Sequence, residues 1–343
     1  MPTPFSILPQ SERQTMISRR TLIKSTVATG ASLTLPGLNA QPATPWPERQ
    51  VRVVLPFGVG GAADLLVRVL AERLQNRLGQ TFIVDNVTGA GGNLGMQAVQ
   101  RAAPDGYTIG CATVGTLSIN QFLFSKLPYD PVRDFTYVST FFENCNMLIV
   151  AAQHPARTLQ EFVAWARRQP QGVKYGSPGV GTTPHLSAEL FRVRTGLQTL
   201  HIPFRGVAQS MPSLLSGDTD FAIENVASYM SMIKAGKVRA LAVTSIDRWP
   251  TLPEVPTMAE AGVPNFIITS WGAFVMPRGT PAAIADKLSA ALQTIAAEPA
   301  LQQRFLEIGA RAISSSPQQV VELAERERVK WKEMVTLSGT KME

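Results

Sequence analysis

Cysteine and histidine are scarce in this chain. Its 343 residues include two cysteines and three histidines, and His154, His185 and His201 stand well apart in sequence. Zinc and related sites need three or four such ligands at short, regular spacing, so we predict no metal site. Cys111 and Cys145 both lie in apolar, strand-like runs. Two buried free thiols are the simpler interpretation, and a disulfide is the alternative that the sequence leaves open.

Long apolar runs and blocks of like charge are also missing. No stretch of about 18 consecutive apolar residues occurs, so the sequence predicts no membrane-spanning helix. Without residues 1–40 the formal charge falls from +7 to +4, and no lysine or arginine block remains. Nucleic-acid binding is therefore not indicated. The chain has no Gly-x-Ser-x-Gly elbow, zinc motif or P-loop lysine, and we assign no catalytic residue and no cofactor.

The first forty residues have the pattern of an export signal. Arg19 and Arg20 precede a modest apolar segment at 27–38, and Ala40 ends a plausible cleavage site. The paired arginines resemble a twin-arginine signal, and an ordinary secretory signal with two adjacent arginines is the alternative. Either signal predicts a mature protein that begins near Gln41 in the periplasm.

The remaining sequence is typical of an α/β protein. Hydrophobic residues make up 45% of the chain, which is enough for a sizeable core and suggests two domains. Residues 51–55 predict a buried strand, a glycine-rich turn follows at 56–61, and apolar residues then recur at helical spacing until Gly79. Further strands and helices alternate downstream. This order predicts a mainly parallel sheet flanked by helices.

A second glycine loop, at residues 177–182, precedes another helix and repeats the local pattern of residues 58–61. Thr183 is expected to be the N-cap of that helix, with Pro184 at its first position. Such a loop directs backbone N–H groups and the positive end of a helix dipole at one point, which suits an anion. We therefore predict that the two loops hold a carboxylate between them.

Several segments together resemble the Bug-type solute receptors of tripartite tricarboxylate transporters. In chain order these are residues 56–64, 89–93, 103–108, 126–131, 185–191, 236–244, 253–257 and 270–271. They cover nearly all of the mature chain in the family's order. The resemblance implies a periplasmic, monomeric solute-binding protein without enzymatic activity, which delivers a small organic acid to the membrane subunits of such a transporter.

The resemblance also implies a type II periplasmic binding protein fold. This is an α/β fold of two domains, each a mostly parallel sheet flanked by helices, joined by two crossover strands. Domain 1 would comprise residues 46–147 and 273–343, and domain 2 residues 148–272. The crossover strands are expected around residues 146–152 and 268–276. The ligand cleft would lie between the domains, which would close like a Venus flytrap by hinge motion.

The residues expected to contact the ligand belong to the two glycine loops and their helices, a threonine-rich loop, and the far wall of the cleft. They are Phe57, Gly60, Gly61, Ala62, Asp64, Thr113, Thr116, Thr182, Thr183, His185, Phe204, Arg205, Glu224 and Asn225. Family members usually carry proline at the position of Val59, tyrosine-lysine at Phe204-Arg205, and aspartate at Glu224. The last two departures bear on which solute is bound.

Some of these residues have a structural alternative. Asp64 suits the first turn of a helix, where the dipole favours an acid, and His185 suits a structural role at a helix start. Arg205 could be a solvated loop residue, and Glu224 could hold a loop or bind a solute amine. Trp271 fits hinge packing as well as it fits the cleft wall.

Two other functions stay open. Gly58, Gly60 and Ala63 fit a relaxed dinucleotide fingerprint, and Asp85 ends the next strand as a ribose-binding acid would. An exported dinucleotide-dependent oxidoreductase is therefore one alternative. A solute sensor that feeds a membrane signalling protein is the other, and it would use the same binding fold. The sequence does not identify the carboxylate.

Overall fold

The computed structural model describes residues 46–341. Its strands are β1 (Val51–Leu55), β2 (Phe82–Asn86), β3 (Thr108–Thr113), β4 (Phe135–Ala151), β5 (Val173–Ser177), β6 (Thr199–Pro203), β7 (Ala222–Asn225), β8 (Val238–Val243), β9 (Thr269–Pro277) and β10 (Arg311–Ala312). The export signal expected over residues 1–40 lies outside the described range. Within that range, no helix combines the length and the apolar character needed to cross a bilayer.

The helices are distributed along the whole described range. They are α1 (Ala62–Leu78), α2 (Asn93–Gln100), α3 (Asn120–Leu123), α4 (Leu159–Ala166), α5 (Thr183–Thr195), α6 (Val207–Ser216), α7 (Val226–Lys234), α8 (Ala282–Ala296), α9 (Pro299–Ile308) and α10 (Pro317–Ser338). A 3₁₀ turn (Ala90–Gly92) precedes α2, and a π-helical turn (Gly115–Ile119) precedes α3. The alternation of strands and helices confirms the α/β class.

Strand β4 takes part in two groups of strands. Residues 135–145 pair antiparallel with β9, and residues 146–151 pair antiparallel with β7 and β8. Beyond β9 lies β3, followed by β1 and β2, and β1 runs parallel to both of its neighbours. Strands β5 and β6 form a separate parallel pair. We call β1–β3, β9, β10 and residues 135–145 the first strand group, and β5–β8 with residues 146–151 the second strand group.

The first strand–loop–helix unit forms where the sequence predicts it. Four of the five residues of β1 are buried. Helix α1 begins after Gly61 and buries Leu66, Leu70 and Leu74, which lie one turn apart on the same face. It ends at Gly79, whose φ of 76° is the left-handed conformation typical of a helix stop. The loop between β1 and α1 is thus anchored by a buried strand and a buried helix.

Both expected crossover strands are present, but the first is longer than expected and the second is shifted by one residue. The first one, expected at residues 146–152, is the end of the 17-residue strand β4. The sequence concealed the rest of β4 because polar residues such as Ser139, Glu143 and Asn144 interrupt its apolar pattern. The second is β9, at Thr269–Pro277, close to the expected 268–276.

The two cysteines are free and buried, which confirms the simpler interpretation. Cys111 on β3 lies opposite Phe274 of β9, whereas Cys145 on β4 lies opposite Thr269 of β9. Five residues of strand separate these two partners by about 16 Å. A disulfide needs Cα atoms within about 7 Å, so the two thiols cannot pair. Burial raises the pKa of the Cys145 thiol to about 11.

Candidate ligand-binding site

A cavity of about 480 Å³ lies where the two strand groups meet. Its walls are formed by residues that follow the carboxyl ends of β1, β2, β3, β5, β6 and β7. This is the edge at which α/β sheets bind ligands, since the loops and helix N-termini converge there. The volume is within the range of small-molecule sites, about 300–1,000 Å³.

The N-cap residues of five helices line this cavity. They are Gly61 of α1, Gly92 of α2, Thr182 of α5, Gly206 of α6 and Asn225 of α7. Only Thr182 among these five places its own side chain on a first-turn N–H. First-turn N–H groups have no intrahelical acceptor, and the helix dipole is positive there. Five such ends around one cavity favour an anion.

The first glycine loop is occupied by an acid of the protein itself. Asp64 is 2% exposed, and its Oδ2 accepts a hydrogen bond from the Gly60 N–H at 3.0 Å. Its Oδ1 accepts from Arg68 Nε at 3.0 Å and from Asn86 Nδ2 at 3.2 Å. Asp64 and Gly61 line the cavity, but Gly60 does not. These bonds favour the dipole-related role of Asp64, and Gly60 lies outside the cavity lining.

Ala62 is connected to a cavity residue that we did not predict. Its N–H donates to Ser228 Oγ at 3.0 Å, and this bond joins the first turn of α1 to the first turn of α7. Both residues line the cavity. A signal for Ser228 was present, because Asn225 is a common N-cap residue and is followed by apolar residues at helical spacing.

The second glycine loop is capped one residue earlier than expected. Thr182, not Thr183, is the N-cap of α5: its Oγ1 accepts from the His185 N–H at 3.4 Å and donates to Gly179 O at 2.7 Å. Thr183 is the first helical residue and Pro184 the second. Since Pro184 has no N–H, the cap bond goes to His185. Both threonines line the cavity, and the N–H of Thr183 has no intrahelical acceptor.

His185 supports the second loop from behind and does not line the cavity. It is 2% exposed. Its Nδ1 accepts from the Gly181 N–H at 3.4 Å, and its ring stacks on His201 with the centroids 4.3 Å apart. His201 Nε2 lies 2.7 Å from Ser177 Oγ. Burial lowers the pKa of His185 to about 4 and that of His201 to about 3. Both pKa values lie below 7, and the contacts of His185 behind the loop favour its structural alternative.

Thr116 and Trp271 also lie outside the cavity lining. Thr116 Oγ1 accepts from the Thr113 N–H at 3.0 Å and donates to the Thr113 carbonyl at 3.1 Å. This pair of bonds holds Thr113, which does line the cavity. Trp271 is buried on β9, opposite Glu143 of β4. Its position fits packing between the crossover strands better than a cleft wall.

Apart from Trp271, the residues expected on the far wall all line the cavity: Phe57, Phe204, Arg205, Glu224 and Asn225. Phe57 and Phe204 are half-buried, and Arg205 is exposed. Asn225 Nδ2 donates to Asn146 Oδ1 and approaches Thr183 Oγ1 at 3.5 Å. Glu224 is almost fully buried, and burial raises the pKa of its carboxyl to about 8. Thus eleven of the fourteen predicted residues line one cavity; the exceptions are Gly60, Thr116 and His185.

A glycine loop at residues 88–92 lines the cavity as well, although we did not assign it to the site. Residues 89–92 all have positive φ angles, including 45° at Ala90, a rare conformation for a residue with a side chain. Phe124, Phe142 and Ser270 also line the cavity and were not predicted. Asp85, the candidate ribose-binding acid, is not part of the lining and binds Arg52 Nε at 2.8 Å.

The two strand groups touch on two sides of the cavity. A Cβ atom placed on Gly91 would lie 2.8 Å from the carbonyl oxygen of Val180, so only glycine fits there. On another side, a Cβ on Gly58 would lie 3.4 Å from the carbonyl oxygen of Arg205. These close backbone approaches, together with the Ala62–Ser228 bond, join the two strand groups around the cavity.

Comparison with known proteins gives consistent matches. A family model described as "Tripartite tricarboxylate transporter family receptor" matches residues 66–339. The solved structure of Rpa4515 from R. palustris with adipate is 35% identical, with a TM-score of 0.85, and covers 86% of this chain and 99% of its own. MatC from Rhodopseudomonas palustris with bound malate is 31% identical, with a TM-score of 0.80, covering 84% and 100%. The periplasmic binding protein BugD is 31% identical, with a TM-score of 0.83, covering 87% and 100%. These likenesses confirm the Bug-type resemblance and the expected fold.

Proposed function

Because this chain belongs to the tripartite tricarboxylate transporter receptor family, we propose that it is a periplasmic receptor which binds a small carboxylate and delivers it to a transporter of that type. Related solute-binding proteins have been solved with adipate and with malate, both of which are dicarboxylates. The family consists of solute-binding proteins, and a binding role without catalysis fits the cavity described above.

The observation that carries this proposal is the convergence of five helix N-termini on one cavity. The first-turn amides that lack intrahelical acceptors include those of Ala63 in α1, Thr183 in α5 and Ser228 in α7. They belong to helices on opposite walls. A carboxylate between them would receive hydrogen bonds from both strand groups and would hold the cleft closed.

Typical free energies indicate how much the backbone amides contribute to binding. A hydrogen bond to a charged group contributes about 1.5–3 kcal/mol, and a helix N-terminus about 0.3–2 kcal/mol. Micromolar binding needs about −8 kcal/mol net, after association has cost about 4–15 kcal/mol. A few amide bonds therefore hold the anion, but burial of the solute body must supply the rest. Phe57 and Phe204 offer that apolar surface.

The cleft would open and close by movement of two domains. We assign residues 46–147 and 273–343 to domain 1 and residues 148–272 to domain 2, because the strands on either side of the cavity fall into two groups linked through β4. The contacts at Gly58, Gly91 and Ala62 would break on opening. Delivery of the solute would then follow docking of the closed form on the membrane subunits.

A calorimetric comparison of acids with their amides tests the proposal. The mature protein would be titrated with succinate, malate, adipate and citrate, and with succinamide and adipamide as uncharged controls of the same length. At least one acid should bind with micromolar affinity, and its amide at least about tenfold more weakly. Equal binding of an acid and its amide would contradict anion recognition. Retention of membrane subunits on the immobilised protein with solute would support delivery, whereas retention of a signalling protein would favour the sensor.

A further inference from the structure

Glu224 is an unpaired acid in the wall of the cavity. It is the third residue of β7, and its side chain is 1% exposed. Its Oε2 accepts the N–H of Asn225 at 3.3 Å. Its Oε1 has no hydrogen-bond partner among the residues that the structure describes. Buried carboxyl oxygens are normally satisfied, so an open one beside a ligand cavity indicates a partner supplied by the ligand.

An ionised carboxylate would be poorly stabilised at this position. The described residues form no salt bridge to Glu224, whereas Asp64, the other buried acid of the lining, is paired with Arg68 at 2.9 Å. A buried charge without a counter-ion is strongly disfavoured, and the group takes up a proton instead. Burial raises the pKa of Glu224 to about 8, and the Asn225 N–H opposes part of that rise.

The cations on the elements packed against β7 do not pair with Glu224. Arg192 of α5 is bound to Glu189, and Lys174 of β5, Arg194 of α5 and Lys234 of α7 are exposed. The titratable groups on the elements that pack against β7 include Tyr229 of α7, His185 and Glu189 of α5, Tyr175 of β5 and Cys145 of β4. Burial, and then the negative charge that Glu224 would carry, raise the pKa of Tyr229. Glu189 is bound by Arg192 at 2.9 Å and by Tyr175. Asp64, on the other strand group, is paired with Arg68, and Arg205, on the same strand group as Glu224, is exposed.

We infer that Glu224 meets the solute as an uncharged carboxylic acid that donates a hydrogen bond from Oε1, so that the cleft selects a solute with an oxygen acceptor at its second end and rejects one with an ammonium group there. This inference rests on the proposed function, since it presumes that the helix N-termini hold the first carboxylate. A bound carboxylate adds a second negative charge to the cavity and disfavours ionisation of Glu224 further. The solute class that fits is a dicarboxylate or a hydroxy- or oxo-carboxylate.

The first test needs no ligand. Thermal unfolding of the wild type and of Glu224→Gln is followed from pH 5 to pH 8. If Glu224 stays protonated only in the folded state, the folded protein loses stability as the pH rises above 4.5, because the unfolded chain releases the proton. The amide does not titrate, so its Tm should exceed that of the wild type by a margin that grows to about 5 °C at pH 8. Glu189→Gln is the matched control, because it removes a paired buried acid and should lower the Tm.

The second test uses solutes of equal length that differ only at one end. The six-carbon set is adipate, hexanoate and 6-aminohexanoate, and the four-carbon set is succinate, butyrate and 4-aminobutyrate. In calorimetry at pH 7 the dicarboxylate of the better-fitting set should bind about 10-fold or more tightly than the other two. Its affinity should decline above pH 8 in the wild type. In Glu224→Gln, which keeps an N–H donor, the affinity should stay within about 5-fold and lose that decline.

The two tests separate failure of the inference from failure of the proposed function. Tightest binding of the amino acid analogue, or a Tm difference that does not grow with pH, would overturn the neutral-acid role while carboxylate binding stands. If none of the six solutes bound at millimolar concentration, the proposed function would fail, even if the Tm difference grew with pH. The proposed solute preference would fail with it.

Discussion

The two glycine loops look alike in sequence but are stabilised in different ways. In the first loop, the N–H of Gly60 is bonded to the ionic pair of Asp64 and Arg68, and Asn86 is attached to the same carboxylate. In the second loop, the cap is the neutral hydroxyl of Thr182, and neutral histidine rings stack behind it. Both present helix N-termini to one cavity. A shared Gly-x-Gly pattern therefore predicts the position of a loop and not the groups that hold it.

We expect the largest loss of stability when Asp64, the acid that holds the first loop but has no counterpart in the second, is removed. Asp64→Ala leaves Gly60, Arg68 and Asn86 without their common acceptor, three donors that are partly buried. We expect a loss of about 3 kcal/mol in the free energy of unfolding, measured by urea denaturation. Asp64→Asn keeps one acceptor oxygen and should lose less. A loss below about 1 kcal/mol for Asp64→Ala would show that the network does not stabilise the loop.

Acid should weaken the second loop before the first. The pKa values of His185 and His201 are lowered in the folded protein, so below pH 6.5 the unfolded chain binds more protons and stability falls with the pH. In Glu224→Gln, which removes the opposing titration of Glu224, the loss between pH 6.5 and 5.5 should be about 2 kcal/mol, given at most about 1.4 kcal/mol for each histidine per pH unit. Hydrogen exchange should then increase at residues 177–182 more than at 58–61. Equal increases would remove the distinction between the loops.

The cap assignment can be tested with adjacent threonines. Thr182→Ala should lower the free energy of unfolding by about 1 kcal/mol, because the His185 N–H loses its acceptor. Thr183→Ala removes a hydroxyl that caps nothing in α5 and should lose less than about half of that. Urea denaturation of both variants provides the comparison. A larger loss for Thr183→Ala would restore the assignment that we made from the sequence.

The smallest effect concerns the bond that joins the helices on either side of the cavity. Ser228→Ala leaves the Ala62 N–H without its partner on the other strand group. We expect about 1 kcal/mol less stabilisation of the closed form, and hence a roughly fivefold weaker affinity for the best carboxylate found by calorimetry. Ser231→Ala, on the same helix but outside the cavity lining, is the control. Unchanged affinity in Ser228→Ala would show that this bond is dispensable.

The sequence predicted the fold better than it predicted contacts within the site. Buried strands, helical periodicity and the stop at Gly79 follow from local patterns, and they place the loops correctly. The choice between Thr182 and Thr183 depends on a bond to Gly179 that sequence spacing does not reveal. Ser228 enters the site because α7 lies opposite α1, which is a consequence of topology. The full length of β4 was concealed because polar residues interrupt its apolar pattern, and one of them, Ser139, is buried and accepts a bond from the distant Ser315 N–H.

Strand β4 makes one more property of the molecule predictable. At residues 145 and 146 the strand exchanges the ladder partners of one group for those of the other without leaving the extended conformation. The two strand groups are thus connected by a continuous hydrogen-bonded strand and not by a flexible linker. A flexible linker allows movement in all directions, whereas a continuous strand restricts the movement to bending and twisting of that strand. Binding and release of a solute would then follow one reproducible path. A stiffer strand at residues 145 and 146 would change the rates of binding and release more than the affinity.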